Sequence, residues 1–400
     1  MNISRRGFLK AASAAAGAMV GTRLAGPGLF GIAHAATPEP TSVVVVWLNG
    51  GINAIFTGAD AFSGTGAFGV TAGNVTALSG GVVIDSTLAA AIPTAVRTKT
   101  ASIGIRHGIT DHGNAETSLF MSGSQSAPLM LADAIGGSAA IKSAVVGDST
   151  LPNGVSPSPV NGVSLQPIND MKATIEAIAG AASAANVADR ANMAKGLAAA
   201  QLMSKNAITK HPISLASVDP GLTAAIATVQ KPVQPFSATE FNTAYGLSGT
   251  AVNSFKSKLA AAELMVRAGA GFVIAQDGGW DTHGDSDGTT VRNMMSTRIA
   301  PPLKTFLTRM LDGTAATERN VIVAILGDFH RSLPGSDHQA NLAALVMGKN
   351  LKNATTGKTD SNVAQAPATP SIPGLWQLLS AAAKTSTLPF GANPHNVLLG

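Results

Sequence analysis

The sequence predicts an α/β fold in which a mostly parallel central sheet is covered by helices on both faces. Three observations carry that prediction. The runs Val43–Leu48 and Val321–Leu326 are apolar and largely β-branched throughout, as expected of strands buried on both faces. Short apolar runs alternate with longer helix-permissive stretches, the pattern left by crossover connections in a parallel sheet. Several of the strand-like runs also end in Gly-rich polar loops, and the carboxyl edge is where α/β sheets place their sites.

Composition narrows the class. The chain has 400 residues and is 45% hydrophobic, ample for a full core. Aromatic residues make up only 4%, while Ala and Gly abound, so helices must pack through small side chains. Basic clusters interleaved with aromatics are missing from the sequence, which argues against nucleic acid as a partner. With no cysteine, disulfides and thiolate ligands or nucleophiles are excluded.

The amino terminus reads as an export signal. Ser4-Arg5-Arg6-Gly7-Phe8-Leu9-Lys10 precedes an Ala/Gly-rich apolar segment and the small-x-small site Ala33-His34-Ala35. Residues 1–35 are therefore expected to be a twin-arginine signal peptide, in preference to an uncleaved anchor. The expected partner during export is the twin-arginine translocase, and the expected location is the periplasm or the cell exterior. Cleavage removes Arg5, Arg6, Lys10 and Arg23 and no acid, lowering the formal net charge from +5 to +1. No later apolar run is long enough to span a bilayer.

In chain order, a first strand at 42–48 ends in Asn49-Gly50-Gly51-Ile52-Asn53, where glycines permit a sharp turn and close backbone approach. A Gly/Ala/Thr-rich irregular stretch runs to about 73, a helix is expected over 88–97 despite Pro93, and a strand over 101–105. Arg106 to Asn114 then leads into a helix over 115–122 closed by Gly123, which puts His112 and Asn114 at a helix amino terminus that favours anions. A helix at 129–135 and a strand at 141–146 follow. The Pro/Gly/Ser-rich stretch 148–163 is an exposed loop, read as a surface insertion in preference to a substrate lid. An Ala-rich helical insert is expected from about 168 to 268. Beyond it come a strand at 271–276, a helix across 289–311, strands at 320–326 and 342–347, a loop at 353–369 and a helix at 373–383.

Two strand ends carry the chemistry. One releases Asp277, Asp281, His283 and Asp285, the other Asp328, His330, Arg331, Asp337 and His338. Carboxylates and imidazoles at such spacing are ligand types that zinc, manganese or iron accept, and two loops of this kind can share a pair of metals. Any one of these residues alone is equally a turn former or a cap.

These motifs together resemble a known family. The twin-arginine signal, Leu48-Asn49-Gly50-Gly51-Ile52-Asn53, Trp280-Asp281-Thr282-His283, Gly327-Asp328-Phe329-His330-Arg331-Ser332 and Ser336-Asp337-His338 look like the secreted family catalogued as domain of unknown function 1501. That family is similar to the alkaline phosphatase and sulfatase superfamily. The resemblance implies a single three-layer α/β/α sandwich over 36–400 with a one-metal or two-metal site above the strand ends, and hydrolysis of phosphate or sulfate esters on small molecules or polymers.

It also implies site roles. Asp281, His283 and His338 suit one metal and Asp328 and His330 a second, with zinc favoured over manganese, iron or calcium. Arg331 and Arg106 are placed to hold non-bridging oxygens. Asn53 stands where the family has Asp, so the first strand offers only Asn49 and Asn53 to ligand or substrate. Thr110-Asp111-His112 matches a motif whose third residue is a nucleophile elsewhere in the superfamily. Here that role falls to His112, by a shift to Asn114 or Thr117, or to a water activated by the metal. A catalytically inactive binding or envelope-assembly protein of the same fold is the alternative.

Overall fold

The computed structural model describes residues 39–400 apart from 61–68, 80, 138, 148–150, 156–157, 180–183, 212–218, 220–221, 224–225, 227–236, 314–318, 357–358 and 360–372. The chain divides into two units, 1–38 and 39–400, and only the second is described. The expected signal peptide lies outside the described residues, as do parts of the loops read at 148–163 and 353–369.

Among the described residues seven strands form the main sheet: β1 (Thr41–Leu48), β2 (Thr100–Arg106), β3 (Ser143–Val146), β4 (Leu165–Ile168), β5 (Phe272–Asp277), β6 (Asn320–Gly327) and β7 (Asn341–Gly348). Their spatial order is β2-β7-β6-β1-β5-β3-β4. All run parallel except β7, which is antiparallel to both neighbours. Every residue of β1 and β6 is buried, as their unbroken apolar runs require of central strands. The α/β class and the mostly parallel sheet are as the sequence predicts.

Helices cover the sheet. Helix α1 spans His112–Phe120, α2 Ala127–Ile135, α3 Met171–Ala179, α4 Ala184–Lys210, α5 Ala238–Tyr245 and α6 Phe255–Arg267. A π turn, Met295–Ile299, joins α7 (Thr289–Met294) to α8 (Ala300–Leu311), and α9 is Pro373–Ala383. Helix α6 packs on β5 and β3 and against α8, while α9 packs on α2, β1 and β6. The last helix of the expected insert is thus a sheet-covering element, opened by a Ser254/Ser257 capping box and buried along most of its length. Along it runs a charge cluster centred on the buried Glu263. Glu263 accepts from Tyr245 at 2.8 Å and from Arg309 at 2.8 and 2.7 Å, and Glu240 accepts from Arg267 and Arg309 at 2.6 and 2.8 Å.

Local departures from expectation have local causes. The helix expected at 88–97 is two single turns, Ser86–Ala89 and Thr94–Arg97, because Pro93 begins the second rather than continuing the first. Helix α1 starts at His112, three residues early, because Asp111 caps it. Strand β4 falls between the loop read at 148–163 and the insert expected from about 168; Pro167 withholds a donor, which confines it to the sheet edge. Strand β7 reverses direction because no helix separates it from β6.

Register gathers the loops. Leu48 at the end of β1 stands opposite Asp277 of β5 on one side and Gly327 of β6 on the other. The loops after β1, β5 and β6 therefore leave the sheet at one level. Arg106, at the end of β2, lies opposite Asn341 and so opens a fourth loop at the same edge.

Candidate metal centre

A three-stranded ribbon of two-residue strands organises these loops. His330–Arg331 pairs in parallel with Ile52–Asn53 and antiparallel with His338–Gln339. Arg331 stands opposite His338, and His330 opposite Gln339. Successive residues on a strand face opposite ways, so Arg331 and His338 share one face while His330 takes the other. The loop after β1 fits closely because Gly50 has φ +111° and a Cβ there would fall 2.3 Å from the backbone nitrogen of Asp281. The close approach its glycines allow is thus to Asp281, which Trp280 N–H secures by donating to Asn49 O at 3.0 Å. Asp277 holds the same loop from below, accepting from Trp280 Nε1 at 2.8 Å and from Arg298.

Four side chains converge at the edge. Asp281 Oδ1 lies 3.7 Å from His112 Nε2, 3.8 Å from His338 Nε2 and 3.3 Å from His283 Nε2. His283 Nε2 is 2.9 Å from His338 Nε2. His112, Asp281 and His338 form a group of three ligand atoms all within 4.8 Å of one another. Phe329, fully buried, is the platform beneath, with ring centroids 4.7 Å from His112 and 4.2 Å from His338.

Hydrogen bonds fix which imidazole nitrogens face the group. His338 Nδ1 lies 2.7 Å from Thr110 O, and because a carbonyl only accepts, Nδ1 carries the proton and Nε2 keeps its lone pair. His112 Nδ1 is bonded to Asp328 Oδ2, which leaves its Nε2 toward Asp281. Metal-binding imidazoles are oriented in this manner, the remote N–H tied to a carboxylate or carbonyl. Asp328 is buried, which raises its carboxyl above the usual range against the opposing pull of His112. For Asp281 burial pushes upward, but Arg331, His112 and His283 outweigh it and hold the carboxylate ionised below its ordinary range. Burial lowers the His338 imidazole; the Thr110 carbonyl opposes that, and Arg331, His112 and His283 add to it.

The donor set fits a metal. Two ligand nitrogens on one tetrahedral zinc stand roughly 3.3 Å apart, given bonds of about 2.0–2.1 Å; Asp281 Oδ1 is 3.7 and 3.8 Å from His112 Nε2 and His338 Nε2, and all three ligand atoms lie within 4.8 Å of one another. Two or three neutral imidazoles and one carboxylate are a zinc-type set, with manganese and iron also served.

Several expected roles change. His112, read as a nucleophile, has its Nε2 3.7 Å from Asp281 Oδ1 and belongs to the three-residue group that could hold a metal. Asp328, read as a ligand, is buried and bonded through Oδ2 to His112 Nδ1. His330 is fully buried on the far face of its strand, with Nε2 2.8 Å from Thr57 Oγ1, and neither it nor Asp328 belongs to the three-residue group. Burial, and then the neighbouring His107, push its pKa down to about 3. Arg331 is wholly buried, and its donors go to Gly50 O, Ser336 O, Asp281 Oδ1 and His338 Nε2 rather than outward. Asn53 is buried too, its Oδ1 accepting from Ile55 N–H at 3.2 Å to cap a 3₁₀ turn. Asn49 contributes through its backbone, donating to Asp277 O at 2.9 Å. Asn114 sits exposed on the first turn of α1, its N–H donating to Asp111 Oδ1 at 2.9 Å. Arg106 is exposed at the end of β2.

Some residues of the site were not singled out from sequence. Glu116, one helical turn beyond His112, is buried and accepts from Asn153 N–H at 2.9 Å. Burial first, then the Asp328 charge, raise its carboxyl above the usual range, against the Asn153 N–H and His112. Its i, i+4 spacing from His112 is a signal the sequence did contain. Phe329 appeared only as a motif match.

No family model and no curated protein matches the chain. Among solved structures it is similar to the lipoteichoic acid synthase LtaP from Listeria monocytogenes, at 11% identity and a TM-score of 0.31, over 89% of this chain and 76% of that one.

Proposed function

We propose that the protein is an exported metal-dependent hydrolase of phosphate or sulfate esters. One observation carries the reading: a carboxylate oxygen and two imidazole Nε2 lone pairs converge at the carboxyl edge of the sheet, while both remote imidazole nitrogens are tied to other groups. A bound divalent metal supplies Lewis acidity for an ester oxygen and a lower pKa for water. His112, Asp281 and His338 are the residues to hold it, with His283 beside them.

The rest falls to the chain's own groups. Asp281 is half-exposed, so the group opens to solvent and to a substrate attached to a polymer as readily as to a free one. Arg106 offers an exposed forked donor for a non-bridging oxygen. Asn114 presents an amide on the first turn of α1, whose amino end favours the anionic group. Arg331 fixes Asp281 rather than touching the ester. With His112 turned into the group, attack by water is the simpler route. The twin-arginine motif supports export through that translocase to the periplasm or beyond.

The test is turnover of p-nitrophenyl phosphate and p-nitrophenyl sulfate by chelator-stripped protein reloaded with zinc or manganese. Activity restored by metal and abolished in Asp281→Ala and His338→Ala is expected; turnover indifferent to both substitutions would end the proposal. A second reading, an exported binding protein, is favoured by the missing carboxylate at the end of β1, where only Asn49 and Asn53 stand. Stoichiometric metal without turnover on either ester class would select it.

A further inference from the structure

Resting on that metal reading, a relationship between Arg331 and the same group goes further. Arg331 is fully buried, and its fork is anchored at two points, Nε donating to Gly50 O and Nη1 to Ser336 O. The third nitrogen, Nη2, reaches two members of the metal-binding group. It donates to Asp281 Oδ1 and lies 3.1 Å from His338 Nε2. An imidazole nitrogen has a single in-plane lone pair, and the other nitrogen of His338 already donates to Thr110. That lone pair serves either a guanidinium N–H or a metal, never both. Asp281 differs, because a carboxylate has further lone pairs to share.

We infer that Arg331 is a built-in cation that closes the metal-binding group, and that metal binds only by displacing its Nη2 from His338. The displacement is local: the anchors to Gly50 and Ser336 hold the rest of the side chain, so the guanidinium pivots rather than leaves. With Nη2 in this position it neutralises Asp281 and occupies the His338 lone pair, for which His283 Nε2, 2.9 Å away, competes. In the bound state the same charge stays beside Asp281. Metals that bond well to imidazole, zinc among them, compete with a guanidinium for nitrogen; calcium and magnesium, which prefer oxygen, do not. The arrangement therefore selects the metal as well as guarding the site, and it removes calcium from the expected ions.

Zinc affinity is the test, measured on chelator-stripped purified protein by competition with a chromophoric chelator, for wild type, Arg331→Met, His338→Ala and Arg331→Met/His338→Ala. Arg331→Met is expected to bind zinc at least about tenfold more tightly than wild type, because closure no longer lowers the apparent affinity. His338→Ala should abolish binding in both backgrounds, and calcium should not bind wild type. Equal zinc affinity in wild type and Arg331→Met, both folded by circular dichroism, would overturn closure and leave the metal reading standing. No zinc bound by either, or binding indifferent to His338→Ala, would overturn the metal reading itself. Should Arg331→Met fail to fold, a crystal structure of zinc-loaded wild type decides. Nη2 withdrawn from His338 with the Gly50 and Ser336 anchors kept is expected, and zinc in the group with Nη2 still bonded to His338 overturns the inference.

Discussion

His338 donates its Nδ1–H to the carbonyl oxygen of Thr110 at 2.7 Å, across 228 residues of sequence. This one bond sets the tautomer of a histidine from the loop after β6 by means of a backbone group from the loop after β2. Its counterpart, His112 bonded to Asp328, crosses between the same two loops in the opposite sense, backed by a side chain instead of a carbonyl. Together they aim two lone pairs at Asp281.

Asp328 should accordingly matter for metal without holding it. Asp328→Ala is expected to weaken zinc binding about 10–100-fold while leaving secondary structure intact, the usual cost of losing an outer partner of a ligand. Competition with a chelator, alongside circular dichroism, measures both. Undiminished affinity would show that His112 needs no orienting partner or is not a ligand.

Phe329 offers a way to separate scaffold from site. Phe329→Ala should cost about 3–5 kcal/mol of stability and also lower metal affinity, because both imidazoles lose their platform. Phe306→Ala, equally buried but in α8, should cost a similar amount with metal affinity unchanged. Urea unfolding and zinc titration of the pair test whether the platform is specific.

Glu263 holds a different part of the fold. It is fully buried and accepts from Tyr245 and twice from Arg309. Glu263→Ala leaves a half-buried guanidinium with one acceptor fewer and a buried hydroxyl without its partner, and should destabilise by about 1–3 kcal/mol. A shift in urea midpoint much below that would mean that Glu240 alone suffices.

Acid should weaken the fold through His330. Its folded-state pKa, pushed down to about 3 by burial and then by His107, lies below the ordinary 6.5 of the unfolded chain. Above pH 6.5 both states are neutral there and the group contributes nothing to pH dependence. As pH falls from 6.5 toward 3 the unfolded state alone takes up the proton, so stability falls by up to about 1.4 kcal/mol per pH unit. His330→Gln should make the decline less steep, with a remainder from His107, which burial pushes down to about 4. Unfolding midpoints compared at pH 7 and pH 5 measure it.

By itself the sequence determined the α/β class, the central strands and the edge that carries the site. These follow from local pattern: unbroken β-branched runs such as Val43–Val46 must be buried on both faces, and polar loops after them must emerge at their carboxyl ends. It also marked His112, Asp281, His283, Asp328, Arg331 and His338 as chemistry-bearing. Only the tertiary structure decided which of them converge and which nitrogens are engaged. Whether a histidine binds or caps depends on which ring nitrogen is already engaged, and the partners of His338 and His112 come from other loops. The two-residue strand His330–Arg331 turned one neighbour into the core and the other into the site, because side chains alternate on a strand and its pairing with Ile52–Asn53 is a long-range contact with no local signature.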